Sequence, residues 1–264
     1  MTPSISKSMR YTHFKYDEIA GNPSGKKRML DYYKQFGYVT IENVFDRETL
    51  NRLSDILIKI RNEEKPVTGD HPTQVHRRHP EIIKVSENER LMDCVNILLE
   101  KKGTLIGSMV LYRDPGTRGS NCHQDNYYLH TAPPEGQINV WIAVDRTTRE
   151  NGCLYVYPES HAEKILPVKF QWAHLLGFLR QFAQALTRQK VAVGLHFGEV
   201  TIPKKYEKIY DEVEAGSIIF THGNILHGSD ENRTSDFRKT LTFCYLAQGA
   251  RVRQGLTAGR QRKV

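Results

Sequence analysis

Polar and apolar positions along the chain fall into two textures. Up to about residue 102 the apolar residues recur at helical spacing. Beyond it they come in short β-rich runs separated by turn residues. The first 25 residues are polar and end in Gly21-Asn22-Pro23-Ser24-Gly25, a loop signal. Residues 27–35 read as a helix stopped by Gly37, and Tyr38-Val39-Thr40-Ile41 as a short strand. Asp46 precedes Arg47-Glu48-Thr49 as a helix N-cap would, and Leu50, Leu53, Ile56, Leu57 and Ile60 then mark one helical face. A basic, His-rich loop is expected over 65–80. Leu91, Cys94, Val95, Leu98 and Leu99 share one side of a further helix over 87–101.

Strands are expected over 104–112, 137–144, 153–157, 199–202, 217–221 and 239–247, with turns at Asp114-Pro115-Gly116 and Glu150-Asn151-Gly152. One helical insert, 172–190, interrupts them. Many short strands without βαβ alternation indicate an antiparallel sandwich or barrel. The chain therefore reads as one domain, mainly β with supporting helices. It has an N-terminal extension (1–25), a helical support (26–102), a β core (103–247) broken by an insert at about 165–198, and a tail (248–264).

Composition narrows the function classes. A chain of 264 residues, 39% hydrophobic and 26% charged, suits one soluble domain. No run approaches the roughly 20 apolar residues of a membrane helix. The opening MTPSISKSMR has no apolar segment, which argues against a secretory leader and for a cytoplasmic protein. The net charge of +8 is uneven: Arg251, Arg253, Arg260, Arg262 and Lys263 give residues 251–264 a charge of +5, leaving +3 on the body. Such a body does not read as a nucleic-acid or membrane binder, and the tail reads as solvated. Cys94, Cys122, Cys153 and Cys244 have no C-x-x-C spacing and read as reduced, small buried residues.

The chemistry concentrates in a few positions. His123 and Asp125 lie two apart; on a strand they would face one side, with Cys122 and Gln124 turned away. His227 follows much later in Leu226-His227-Gly228-Ser229. Two His and one carboxylate form the facial triad of non-haem Fe(II) oxygenases, which leaves open positions for a bidentate co-substrate and O2. Arg238, eleven residues on, opens a clean strand and suits bidentate capture of a carboxylate such as the far end of 2-oxoglutarate. Spacing alone leaves this open. H-x-D is a common pattern, His76, His79, His161 and His222 read as loop or core polar residues, and Arg238 reads equally as a surface charge after Asp236-Phe237.

Several ordered motifs together resemble the phytanoyl-CoA dioxygenase family of Fe(II)/2-oxoglutarate oxygenases. They are HQDNYY (123–128), Trp141 with the run from Asp145 to Leu154, Pro158-Glu159-Ser160-His161, Glu214-Ala215-Gly216-Ser217, and His227-Gly228-Ser229 followed by Asn232-Arg233-Thr234-Ser235 and Arg238. Gln35-Phe36-Gly37-Tyr38-Val39 extends the likeness towards the N-terminus, so that it runs from about Met29 to Ala247.

The resemblance implies a double-stranded β-helix (jelly-roll, cupin-like) core. It implies His123, Asp125 and His227 as catalytic metal ligands. Arg238 would grip the distal carboxylate of 2-oxoglutarate with help from Ser229. Trp141 would line that pocket, though an ordinary core aromatic reads as well, and Tyr112 is a further co-substrate candidate. A halogenase branch carries Ala or Gly where Asp125 stands, so oxygenation is the expected chemistry. The cofactors are then Fe(II), 2-oxoglutarate and O2, with succinate and CO2 released. The partner is a small molecule, a free specialised metabolite more than an acyl-CoA. Arg77, Arg78, Lys204 and Lys205 would serve a CoA reader, or would be plain solvated charges. An inactive cupin-like binding module is the rival of a different class, and a zinc hydrolase lacks a visible general base. Segment 65–80 and an aromatic insert holding Trp172, Phe178 and Phe182 would cover the site or simply pack.

Overall fold

The computed structural model describes residues 11–64, 71–169 and 199–253. A short strand β1 (His13–Lys15) and a helical turn α1 (Tyr16–Ile19) lead into α2 (Pro23–Phe36). The Asn22 side chain caps α2 by accepting from the Ser24 and Gly25 amides, and Pro23 sits in the first turn, where its missing N–H costs nothing. Gly37 ends the helix at φ +77°, a left-handed conformation that favours glycine, and turns the chain into β2 (Tyr38–Glu42). Asp46 caps α3 (Arg47–Glu64), its carboxylate accepting the Thr49 amide at 2.7 Å. The expected loop over 65–80 contains a 3-10 turn (Val75–Arg77) in its described part and meets α4 (Pro80–Ser86), begun by a proline. α5 (Glu89–Leu99) follows, with Asn88 as its cap.

The second half is β3 (Gly103–Arg113), the turn α6 (Asn126–Leu129), β4 (Gln137–Ala143), β5 (Leu154–Tyr157), β6 (Val168–Lys169), β7 (Glu199–Val200), β8 (Ile209–Asp211), β9 (Ile218–His222), β10 (Leu226–Ser229) and β11 (Arg238–Ala247). β1, β6, β8 and β10 are strands that the hydrophobic pattern did not announce. Each is two to four residues, too short for alternation to register. The helix expected over 172–190 lies outside the described residues.

Six strands form one sheet in the order β1-β2-β9-β4-β11-β3, and three form a second, β10-β5-β8. All pairings are antiparallel except β1 with β2. The two sheets make a jelly roll, mainly β, with the helices against the outer face of the large sheet.

Alternation along the strands decides what faces where. Val110 and Tyr112 lie opposite Leu241 and Lys239. This face meets the helices: the Tyr112 hydroxyl donates to the Leu57 carbonyl of α3 at 2.6 Å, and the Tyr245 hydroxyl to the Ser86 carbonyl of α4 at 2.6 Å. Met109, Leu111 and Arg113 lie opposite Thr242, Thr240 and Arg238, facing the second sheet. The main core runs continuously from Met29, Phe36, Leu53 and Leu57 of the helices to Val140, Ile142, Phe220 and Phe243 of the large sheet.

A buried polar link ties β1 and β2 to β8. His13 bonds Glu42 through Nδ1 at 3.0 Å and Asp211 through Nε2 at 2.8 Å, and Thr40 also donates to Asp211. Burial opposes charge on His13, but the bonds and charges of Asp211 and Glu42 outweigh it and raise its pKa above the ordinary 6.5. A raised folded-state pKa adds stability that is complete below the unfolded value and fades as pH rises through the elevated one. The unfolding free-energy difference between wild type and His13→Gln, measured by denaturant titration, should be largest below pH 6.5 and shrink with alkalinity.

Candidate metal centre

Residues 123 and 227 are joined by an isolated antiparallel bridge. The His123 amide donates to the His227 carbonyl at 2.9 Å, and the His227 amide returns a bond to the His123 carbonyl at 3.1 Å. The two imidazoles therefore stand beside each other, with ring centroids 4.3 Å apart. Gly228 permits the close passage of this strand: a Cβ there would fall 2.4 Å from the Tyr155 hydroxyl and 2.6 Å from the Ser120 carbonyl oxygen. Asp125 does not share a strand with His123. It has helical angles (φ −62°, ψ −32°) and opens α6, so the carboxylate reaches the imidazoles from a turn.

The back of this segment is held as firmly as the front. The Gln124 amide donates to the Asn224 carbonyl at 2.7 Å and its oxygen accepts the Leu166 amide at 2.8 Å. Asn126 donates to the Asn224 side-chain oxygen at 2.8 Å. Gln124 and Asn126, both buried, thus lock residues 123–126 onto the loop before β10. This support was invisible to the sequence reading, because amides of this kind are indistinguishable from ordinary surface polar residues until paired.

His123, Asp125 and His227 offer one ligand atom each, all within 4.8 Å of one another. Both His Nε2 atoms lie 3.4 Å from an Asp125 oxygen. The opposite ring nitrogens are committed: His123 Nδ1 meets the Asn121 carbonyl at 2.7 Å and His227 Nδ1 the Ile225 carbonyl at 3.1 Å. A carbonyl can only accept, so each Nδ1 carries a proton, and in the neutral imidazole Nε2 then holds the lone pair that a metal would take. Burial holds His227 below its ordinary pKa. It also opposes charge on His123, where the Asp125 carboxylate overcomes it and the net direction is upward. Two neutral imidazole donors and one carboxylate on one side of a point fit a divalent first-row metal with open positions opposite. Cys122 packs with Tyr155, Tyr157 and Leu226, apart from this group. His76 and His79 bond Ser108 and Glu64. His161 and His222 border a separate cavity of about 460 Å³ that contains none of the three candidate ligands.

Arg238 is 2% exposed. Its Nε donates to the Asn151 carbonyl at 2.9 Å, Nη2 to the Gly152 carbonyl at 3.1 Å, and Nη1 to the Thr240 hydroxyl at 3.4 Å. One N–H on each terminal nitrogen remains for a ligand, and no carboxylate among the described residues lies within 4 Å of the group. Trp141 covers it, the guanidinium carbon 5.5 Å from the ring centroid. Burial, and the neighbouring Arg113 charge, lower the Arg238 pKa to about 9. Ser229, two residues from His227, bonds Arg113 and not Arg238. Tyr112 is not brought to this group: alternation turns it to the helices, where it stacks on Phe237. Its neighbour Arg113 takes the inner face instead. The sequence signal for Arg113 was a charge closing an otherwise uncharged strand.

The chain matches the family model for Phytanoyl-CoA dioxygenase (PhyH) over residues 33–240. The Phytanoyl-CoA dioxygenase 1 of Oryza sativa subsp. japonica is 28% identical over 170 residues, covering 64% of this chain and 54% of the relative. The Phytanoyl-CoA dioxygenase of Arabidopsis thaliana is 27% identical over 250 residues, covering 86% and 80%. The chain thus spans about half the length of the rice relative. Among solved structures, the epimerase SnoN in complex with Fe3+, alpha ketoglutarate and nogalamycin RO superposes with a TM-score of 0.72 over 88% of this chain and 87% of that one. At 16% identity the likeness is one of fold.

Calorimetric titration with Mn(II) tests the donor set. Asp125→Ala should weaken binding by more than the roughly 10–100-fold that loss of an outer-shell partner costs. Cys122→Ser should bind as wild type does.

Proposed function

The chain belongs to the phytanoyl-CoA dioxygenase family, and from that premise we propose that it is an Fe(II)- and 2-oxoglutarate-dependent dioxygenase. It inserts one atom of O2 into an unactivated C–H of a small molecule, while the other oxidises 2-oxoglutarate to succinate with loss of CO2. The observation that carries this reading is the conjunction of the His123–Asp125–His227 donor set with a buried guanidinium, Arg238, that has no carboxylate partner among the described residues.

The bound iron supplies the activation of O2 and the cleavage of the C–H bond. The chain supplies everything else. His123, Asp125 and His227 hold the metal from one side. Arg238 presents its two remaining N–H groups to the distal carboxylate of the co-substrate, a fork matched to two oxygens. Its other donors, fixed on the Asn151 and Gly152 carbonyls, keep that fork aimed. Gly152 makes this possible with φ +80°, turning the loop before β5 back onto Arg238. Trp141, whose ring centroid lies 5.5 Å from the guanidinium carbon, would wall the space this carboxylate enters.

The substrate we infer is a free small metabolite. A CoA thioester would need basic residues available at the surface. Two of the candidates are already engaged, Arg78 with Glu64 at 2.9 Å and Lys205 with Glu163 at 2.7 Å. The similar fold of an epimerase from nogalamycin biosynthesis supports a place in specialised metabolism. The binding-module reading loses ground to the intact donor set, since a non-catalytic cupin needs neither the triad nor a buried guanidinium.

Anaerobic addition of Fe(II) and 2-oxoglutarate should produce a weak visible charge-transfer band. Arg238→Ala should raise the 2-oxoglutarate concentration needed for half its intensity by roughly 10²-fold. Correctly folded wild type without the band would refute the oxygenase reading.

A further inference from the structure

Two guanidinium groups lie side by side in the interior, each 2% exposed, at paired positions on β3 and β11. Arg238 alone grips the co-substrate in the proposed function. Burial also depresses Arg113, to about 10, and its charge is one of the factors lowering Arg238. Among the described residues neither group has an ion-paired carboxylate, so both charges await compensation by something else.

The hydrogen bonds of Arg113 show where it acts. Nη1 donates to the Arg118 carbonyl at 3.1 Å and meets His71 Nε2 at 3.2 Å. Nη2 donates to the Ser120 hydroxyl at 3.0 Å and to the Ser229 hydroxyl at 3.1 Å. The Ser120 amide also donates to the Ser229 hydroxyl, at 3.1 Å. A serine hydroxyl has two lone pairs and one proton. Both lone pairs of Ser229 are taken, so the hydroxyl is left as a pure donor, and no acceptor for it is found among the described residues.

We propose that Arg113 is a positioning residue for the co-substrate: it orients Ser229 as a hydrogen-bond donor to the carboxylate gripped by Arg238. The proposal rests on the 2-oxoglutarate reading and extends it. Without Arg113, one lone pair of Ser229 is freed and the hydroxyl can rotate away. A lysine keeps the charge but not the planar fork that reaches Ser120 and Ser229 together.

The test is 2-oxoglutarate binding to the Mn(II)-loaded protein, followed by calorimetry, with Mn(II) affinity measured in parallel. Arg113→Lys and Ser229→Ala should each weaken 2-oxoglutarate binding by about tenfold, the worth of one charge-assisted hydrogen bond, with Mn(II) affinity unchanged. The double variant should be no weaker than Ser229→Ala alone, because both changes remove one interaction. A merely structural role would lower Mn(II) affinity as well, or would give additive losses. Either result overturns the proposal, as does wild-type affinity in Ser229→Ala, a variant that decides the matter even if Arg113→Lys does not fold. Failure of the underlying reading looks different: wild type would not bind 2-oxoglutarate, or Arg238→Ala would bind it as wild type does, and the proposal would fall with it.

Discussion

The site depends on a pair of reciprocal backbone hydrogen bonds. Residues 123 and 227 are distant in sequence, yet the bonds between their amides and carbonyls, at 2.9 and 3.1 Å, fix their side chains on a common side. Backbone bonds set distance and direction without depending on the side chains they position. The imidazole orientation is then set by two further backbone carbonyls, Asn121 and Ile225. The geometry of both nitrogen donors is thus written in main-chain bonds, and only Asp125 relies on a turn. That turn in turn leans on Gln124 and Asn126, whose bonds to Asn224 run back to the loop before the His227 strand.

A second constraint is electrostatic. Burying a charge without a partner is costly, and this fold buries two of the same sign next to each other. Arg238 and Arg113 hold their places with bonds to carbonyls and hydroxyls, which satisfy geometry but leave the charge uncompensated. Such an arrangement makes sense when an anion belongs between the sheets. The jelly roll supplies the framework: the helices cover the outer face of the large sheet, and Arg113, Arg238 and Thr240 lie on its inner face beside Leu111 and Trp141.

Much of this was legible in the sequence. The change of texture near residue 102, the Asp46 cap and the Gly37 stop appear in the structure close to where the pattern put them. His123, Asp125, His227 and Arg238 were left open by their spacing and singled out by the family resemblance; the structure brings the first three within 4.8 Å of one another and buries the fourth. What could not be read was which way neighbouring residues face at the end of a strand. Tyr112 and Arg113 both close β3, and the resemblance pointed to the tyrosine as a co-substrate candidate. Register against β11 sends Tyr112 to the Leu57 carbonyl and Arg113 to Ser229. Likewise, the strand expected for His123-x-Asp125 is a bridge followed by a helical turn, because residues 126–130 close local bonds that a strand would forgo. Pairing between distant segments decides the first case and a local turn decides the second, and alternation along a strand contains neither.

The most direct test of the account is a crystal structure of the chain grown with Mn(II) and 2-oxoglutarate. One metal should be bound by His123 Nε2, His227 Nε2 and an Asp125 oxygen, with the far carboxylate of 2-oxoglutarate on Arg238 and the Ser229 hydroxyl. A metal bound elsewhere, or a co-substrate whose carboxylate avoids Arg238, would contradict it.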